Sequence, residues 1–185
     1  MIFLLMLAAF AGIGAFCANC IVHALYPKRY CELITESCEE FGVEESLVYA
    51  VIHTESGFDC NARSNVGALG LMQIMPETFD WLQTRLPAEE HLEFDALYLP
   101  EVNIRYGVYY LSQLRSQFGS DMLAIAAYHA GQGSVSGWLD KSGLPPELFK
   151  QTDIPSSATC HYVNKVERAR EIYIRLYFSG SESAV

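Results

Sequence analysis

The stretch from Glu44 to Pro76 constrains this chain more than any other. Its apolar residues first recur at helical spacing, with Val48, Val51 and Ile52 on one stripe. Between Ser56 and Gly70 that pattern gives way to three glycines and three Asn or Asp residues. A helix over Glu44–Glu55 must therefore end in a turn-rich loop, with room for a short β-hairpin. Glu55 sits at the junction. Ile52, Val51 and Val48 lie three, four and seven residues before it, so the carboxylate extends the apolar stripe of its own helix. Desolvation there, and the negative end of the helix dipole, both disfavour its ionised form. A raised pKa is what a general acid at neutral pH requires. The spacing alone equally admits a plainer arrangement, in which Glu55 turns to solvent or bonds a neighbouring backbone amide.

The remaining segments read as helices separated by Gly and Pro. Tyr30, Leu33, Ile34 and Phe41 predict a first helix opened by Pro27 and stopped by Gly42. Pro76 opens a short helix carrying Phe79, Trp81 and Leu82, and Thr84 to Leu99 is irregular. Pro100 to Phe118 predicts a long helix ended by Gly119, on which Ile104, Val108, Leu111 and Leu114 share a face. Asp121 is expected to cap the nearly all-apolar segment MLAIAAYHA, which belongs at the centre of the core. A short helical piece over Ser134–Leu139 and a last helix over Ser157–Phe178 follow, separated by a Pro-bearing loop. The expectation is a mainly α domain over residues 25–178, with six or seven helices and little strand, and a disordered tail over 179–185.

The formal net charge of -10 excludes a nucleic-acid groove, which needs a basic stripe to neutralise phosphates. A polymer substrate would have to be held by hydrogen bonds and aromatic platforms. Met1 to Val22 contains no charged side chain, and the first basic residues are Lys28 and Arg29. Residues 1–24 are thus expected to be a signal peptide or an N-terminal membrane anchor, with membrane association through residues 1–22. As an anchor, the segment with Lys28 and Arg29 behind it would favour a cytoplasmic C-terminal side. No metal site is expected, since the cysteines and histidines lack ligand spacing. Cys31 and Cys38 lie seven apart on one helix, about 10 Å from each other, too far to bridge. Cys60 and Cys160 are left either as a disulfide pair or as free thiols.

Glu55-Ser56-Gly57-Phe58, then Ala62, Ser64 and the run from Gly67 through Gly70-Leu71-Met72-Gln73 to Pro76, resemble the lytic transglycosylase SLT family, peptidoglycan lyases of lysozyme-like fold. Ala127-Tyr128-His129-Ala130-Gly131-Gln132-Gly133 is similar to the family block A-Y-N-A-G-x-G. Asn103-Ile104 with Gly107, Tyr110 and Leu111, and Ile154-Pro155 followed by Tyr162-Val163, resemble two further family segments. The resemblance covers about Phe41 to Tyr177, in the family's order and spacing.

The resemblance implies a lysozyme-like fold with the helices around a substrate groove. It implies Glu55 as sole catalytic acid/base and peptidoglycan glycan strands as substrate, with no cofactor. The implied reaction cleaves the β-1,4 bond between N-acetylmuramic acid and N-acetylglucosamine and leaves a 1,6-anhydro end. The implied setting is the periplasm or cell envelope; protein partners are not implied. Ser64, Gln73 and Met75 match substrate-contacting or groove positions. Tyr128 matches a tyrosine hydrogen-bonding near the Glu, and Tyr162 a groove tyrosine. A hydrolytic muramidase on the same fold would need a second carboxylate, and Asp59, the nearest in sequence, reads as a turn residue. A binding or assembly module without catalysis is the third reading. Two departures stand out: His129 replaces the family's Asn, and Ala158 replaces an acidic groove residue. A lone His of this kind reads as a packed or hydrogen-bonded residue.

Overall fold

The structure is a computed structural model and describes residues 14, 16–86 and 91–179. Most of the leader expected over 1–24, and the tail from residue 180, lie outside the described residues. Eight α-helices run through the described residues: α1 (16–25), α2 (Cys31–Phe41), α3 (Glu45–Glu55), α4 (Pro76–Gln83), α5 (Pro100–Phe118), α6 (Asp121–Ala130), α7 (Gln132–Ser142) and α8 (Ser157–Tyr173). Extended pairing among them is limited to two isolated antiparallel bridges, Arg63 with Leu69 and Leu69 with Ile74. The mainly α architecture with little strand is thus the one expected. Among the described residues no helix is long and apolar enough to cross a membrane.

α3 is the axis of the domain. Every residue from Ser46 to Ile52 is buried, so α3 is enclosed on all sides, not on one stripe. It packs chiefly on α8, while α6 packs on both α8 and α5, and α5 also covers α2. Leu123 to Ala127 of α6 are buried as well, which puts that helix in the core as its composition requires. Two ion pairs with Arg170 of α8 tie the bundle together, one to Glu44 at the start of α3 and one to Asp121 at 2.8 Å. Asp121 also meets Arg115 of α5 at 2.6 Å.

Gly42 and Gly119 end their helices in the left-handed conformation, and Pro76 and Pro100 open theirs, as expected. Four boundaries differ. Pro27 does not open α2: the segment ahead of α2 is irregular and Tyr30, at φ 56°, turns the chain into the helix at Cys31. The Pro27 carbonyl instead accepts a hydrogen bond from the Tyr173 hydroxyl at 3.2 Å. Ser120, not Asp121, caps α6, its hydroxyl accepting from Leu123 N at 3.5 Å, because the Asp121 carboxylate is held by the two arginines. The piece expected over Ser134–Leu139 extends from Gln132 to Ser142. The last helix is α-helical to Tyr173 and then widens into a π turn over Ile174–Phe178. Cys60 and Cys160 are both free thiols; Cys60 faces Tyr30, whereas Cys160 lies against Gln151 and Asn164.

Candidate active site

Glu55 is the last residue of α3, half-buried where the helix emerges from the core. The next residue fixes the exit. The Ser56 hydroxyl donates to the Leu71 carbonyl at 2.8 Å and accepts from Phe58 N at 3.2 Å. Phe58, with φ 69° and 2% exposure, then turns the chain inward. The loop folds back as the small hairpin that the glycine spacing suggested, with Leu69 and Ile74 exchanging both backbone hydrogen bonds at 3.1 Å.

Other elements satisfy the polar groups of that hairpin. Asn103 of α5, fully buried, accepts from Met72 N at 2.8 Å and donates to the Leu69 and Leu97 carbonyls at 3.0 and 2.8 Å. The Tyr128 hydroxyl donates to the Met72 carbonyl at 2.7 Å. Gly70 is required here twice over: its φ is 75°, and a Cβ would collide with the Asn103 amide and the Leu97 carbonyl. Gly107 leaves the space that the Met72 side chain occupies.

From α8, Tyr162 reaches the acid. Its hydroxyl donates to Glu55 Oε1 at 2.6 Å. Burial pushes the Glu55 carboxyl up to about 7, and the Tyr162 hydrogen bond opposes that rise by favouring the carboxylate. Burial, then the neighbouring Glu55 charge, hold both the Tyr162 and Tyr128 phenols well above their ordinary value. Both stay protonated and act as donors. Tyr162, expected in the groove, is thus the direct partner of Glu55, and Tyr128 stands beside the acid with its own hydroxyl spent on Met72.

The remaining expected residues are placed as follows. Ser64 works within the loop: its hydroxyl accepts from Ala68 N at 2.9 Å. Gln73 adopts φ 48° and its amide donates to the Gly70 and Ala62 carbonyls at 2.8 and 3.1 Å, so it braces the hairpin. Met75 precedes α4 and shares a small pocket with Gln73, Thr78, Tyr110 and Tyr128. Asp59 is a turn residue, accepting from Asn61 N at 2.9 Å. Ala158 is exposed on the first turn of α8 and offers no charge there. His129 packs on Tyr162 and meets Thr159, so it is a packed and hydrogen-bonded residue as read. The bracing roles of Ser56 and Asn103 are absent from the sequence reading. Asn103 carried a signal: it is a polar residue on the helical stripe of Gly107 and Tyr110, a position that stays buried only when its amide is fully bonded.

The transglycosylase SLT domain model matches residues 32–147. The soluble lytic murein transglycosylase of Salmonella typhimurium is 35% identical over 162 residues, covering 86% of this chain and 25% of that protein. The membrane-bound lytic murein transglycosylase C of Serratia proteamaculans is 33% identical over 173 residues, covering 80% of this chain and 47% of that protein. The crystal structure of the 70 kDa soluble lytic transglycosylase of Escherichia coli aligns with a TM-score of 0.78 at 31% identity, over 86% of this chain and 26% of that one. The chain therefore spans a quarter to a half of the length of these relatives. By the extent of the family match and by its fold, this chain belongs to the transglycosylase SLT domain family.

Proposed function

We propose that this chain is the catalytic unit of a lytic murein transglycosylase that cuts peptidoglycan glycan strands with Glu55 as its single acid/base. The observation that carries the reading is a half-buried carboxyl poised at about 7 and held at 2.6 Å by a protonated phenol. Such a group gives up and takes a proton with nearly equal ease at neutral pH. In the protonated form Glu55 donates to the glycosidic oxygen between N-acetylmuramic acid and N-acetylglucosamine, and the C1–O bond breaks. As a carboxylate it then accepts the proton of the muramoyl C6 hydroxyl, whose oxygen closes on C1. The product ends in a 1,6-anhydro ring and no water is consumed. The substrate's N-acetyl group assists at C1, so the second carboxylate of ordinary glycosidases is not needed.

Burial is what raises Glu55, and among the described residues no other carboxylate contributes to its shift. Asp59, the candidate base for a hydrolytic reaction, is tied into its own turn. Tyr162 stabilises Glu55 in the half of the cycle in which it is ionised. Met75 and the Tyr128 ring border the site on the hairpin side, and Ser64 and Gln73 shape the loop that carries it. The relatives bear the names soluble and membrane-bound murein transglycosylase, which favours an envelope location, with residues 1–22 as leader or anchor.

The test is digestion of purified murein followed by mass spectrometry of the fragments. Anhydro-ended fragments are expected, and Glu55→Gln is expected to release none while remaining folded. Hydrated reducing ends would replace this reading with a muramidase; undiminished release by Glu55→Gln would remove Glu55 from the reaction.

A further inference from the structure

α6 delivers His129 one residue after Tyr128, at a position where the SLT family has Asn. Its imidazole lies on the ring of Tyr162, with centroids 4.6 Å apart and planes inclined by 30°. Its Nδ1 is 3.2 Å from Thr159 Oγ1. The Thr159 hydroxyl in turn donates to Ser156 Oγ at 3.0 Å, and Ser156 caps α8 by accepting from Thr159 N at 3.2 Å. Thr159 Oγ1 joins the His129 Nδ1 to the Ser156 cap in one hydrogen-bonded chain. The ring is thus tied at one edge to the first turn of α8. One turn further along the same helix, it covers the phenol that donates to Glu55 Oε1 at 2.6 Å.

A ring pair packed this closely resists displacement of either ring. We propose that His129 is a positioning residue for the acid/base: by stacking on Tyr162 from an anchored edge, it fixes the phenol on Glu55. The proposal rests on the assignment of Glu55 made above. The groups facing His129 are Thr159 and Tyr162 from α8; Tyr162 links it to Glu55 of α3, and Tyr128 is its neighbour on α6. Partial burial lowers the His129 pKa, and the ring acts through its face on Tyr162 and its Nδ1 on Thr159. An Asn at this position can supply the hydrogen bond to Thr159 but no ring to lay on the phenol.

The experiment compares His129→Ala, His129→Phe and Thr159→Val with the unaltered chain. Two quantities are read: the titration midpoint of the Glu55 side-chain carboxyl by carbon-13 NMR, without substrate, and kcat and KM on murein. In His129→Ala the Tyr162 bond loosens, so the Glu55 midpoint moves up and kcat falls about tenfold to a hundredfold with KM nearly unchanged. His129→Phe, which keeps a ring on Tyr162, is expected to restore most of both quantities. Thr159→Val keeps the stack but frees its edge, and is expected to move the midpoint in the same direction by less. An unchanged Glu55 midpoint in His129→Ala, or a His129→Phe as impaired as His129→Ala, overturns the proposal. Should His129→Ala not fold, an unmoved midpoint in Thr159→Val overturns it. The NMR titration does not depend on turnover, so activity surviving in Glu55→Gln would sink the proposed reaction without deciding this result.

Discussion

A carboxyl held near neutrality by burial is useful to chemistry and costly to the fold. Glu55 moves from an ordinary value of 4.5 to about 7 on folding. Its folded value is the higher one, so its contribution to stability is intact below pH 4.5 and is lost as the pH rises through 7. Above that the native state must hold a desolvated negative charge, at a cost of about 3 kcal/mol. Glu55→Gln removes the charge and leaves an amide oxygen for Tyr162. The variant is therefore expected to be more stable than the unaltered chain by up to about 3 kcal/mol at pH 8, with the gain vanishing near pH 4. Urea unfolding at a series of pH values measures it. A difference that stays constant across that range would show that the charge on Glu55 does not burden the fold. At this scale the sequence was half informative. The position of Glu55 on an apolar stripe at a helix end was readable from three neighbours. Its partner was reachable only through the family resemblance, which named Tyr162 as a groove tyrosine, because Tyr162 lies 107 residues away and no local spacing links the two.

The hairpin over residues 69–74 illustrates what decides an element of this size. Several of its backbone groups are met by side chains from elsewhere: the Leu69 carbonyl and both Met72 groups by Asn103 and Tyr128, and the Leu71 carbonyl by Ser56. The hairpin is too short to stand alone, so it is held in place from α3, α5 and α6. Asn103→Leu would leave the Met72 amide and the Leu97 carbonyl without the Asn103 amide and strip the Leu69 carbonyl of one of its two donors, Ile74 N remaining, a loss of about 3 kcal/mol. The expected signature is a lower urea midpoint together with early hydrogen exchange at the Met72 amide. Protection of that amide persisting in the variant would mean that the hairpin is held by its side-chain packing instead. Helix ends marked by a single strong residue, such as Gly42, Gly119, Pro76 and Pro100, were legible. Pro27 and Asp121 misled for a shared reason. Each fits the local role expected of it, but a distant partner, Tyr173 for the Pro27 carbonyl and Arg115 with Arg170 for the Asp121 carboxylate, engages it elsewhere.

At the scale of the whole molecule, the α3 and α8 pair is the spine, and the chain ahead of α2 is sewn to its end. The Tyr26 ring stacks on His53 of α3 at 4.5 Å. The Tyr26 carbonyl accepts from Tyr177 at 2.8 Å, and the Pro27 carbonyl from Tyr173 at 3.2 Å. Tyr173 is itself stacked on Tyr49 in the core at 5.3 Å. Residues 26–30 therefore belong to the body that orients α8, the helix carrying Tyr162, whereas α1 leaves Phe16, Ile21 and Leu25 exposed. Two truncations separate these parts. Removing residues 1–21 is expected to leave the melting temperature and the Glu55 titration unchanged. Removing residues 1–29 deletes two carbonyl acceptors, the Tyr26 ring contacts with His53 and Tyr173, and Lys28 from beside Glu45 and Phe178, a loss of about 2–4 kcal/mol. The damage should begin at the end of α8 and the π turn beyond it, where Tyr173 and Tyr177 lose their partners, and be seen there first by hydrogen exchange. Equal stability of the two truncated chains would mean that the contacts made by residues 26–29 contribute nothing, and that the folded body starts at α2. Destabilisation by the shorter deletion would instead assign α1 to the folded body, and with it the apolar residues it exposes.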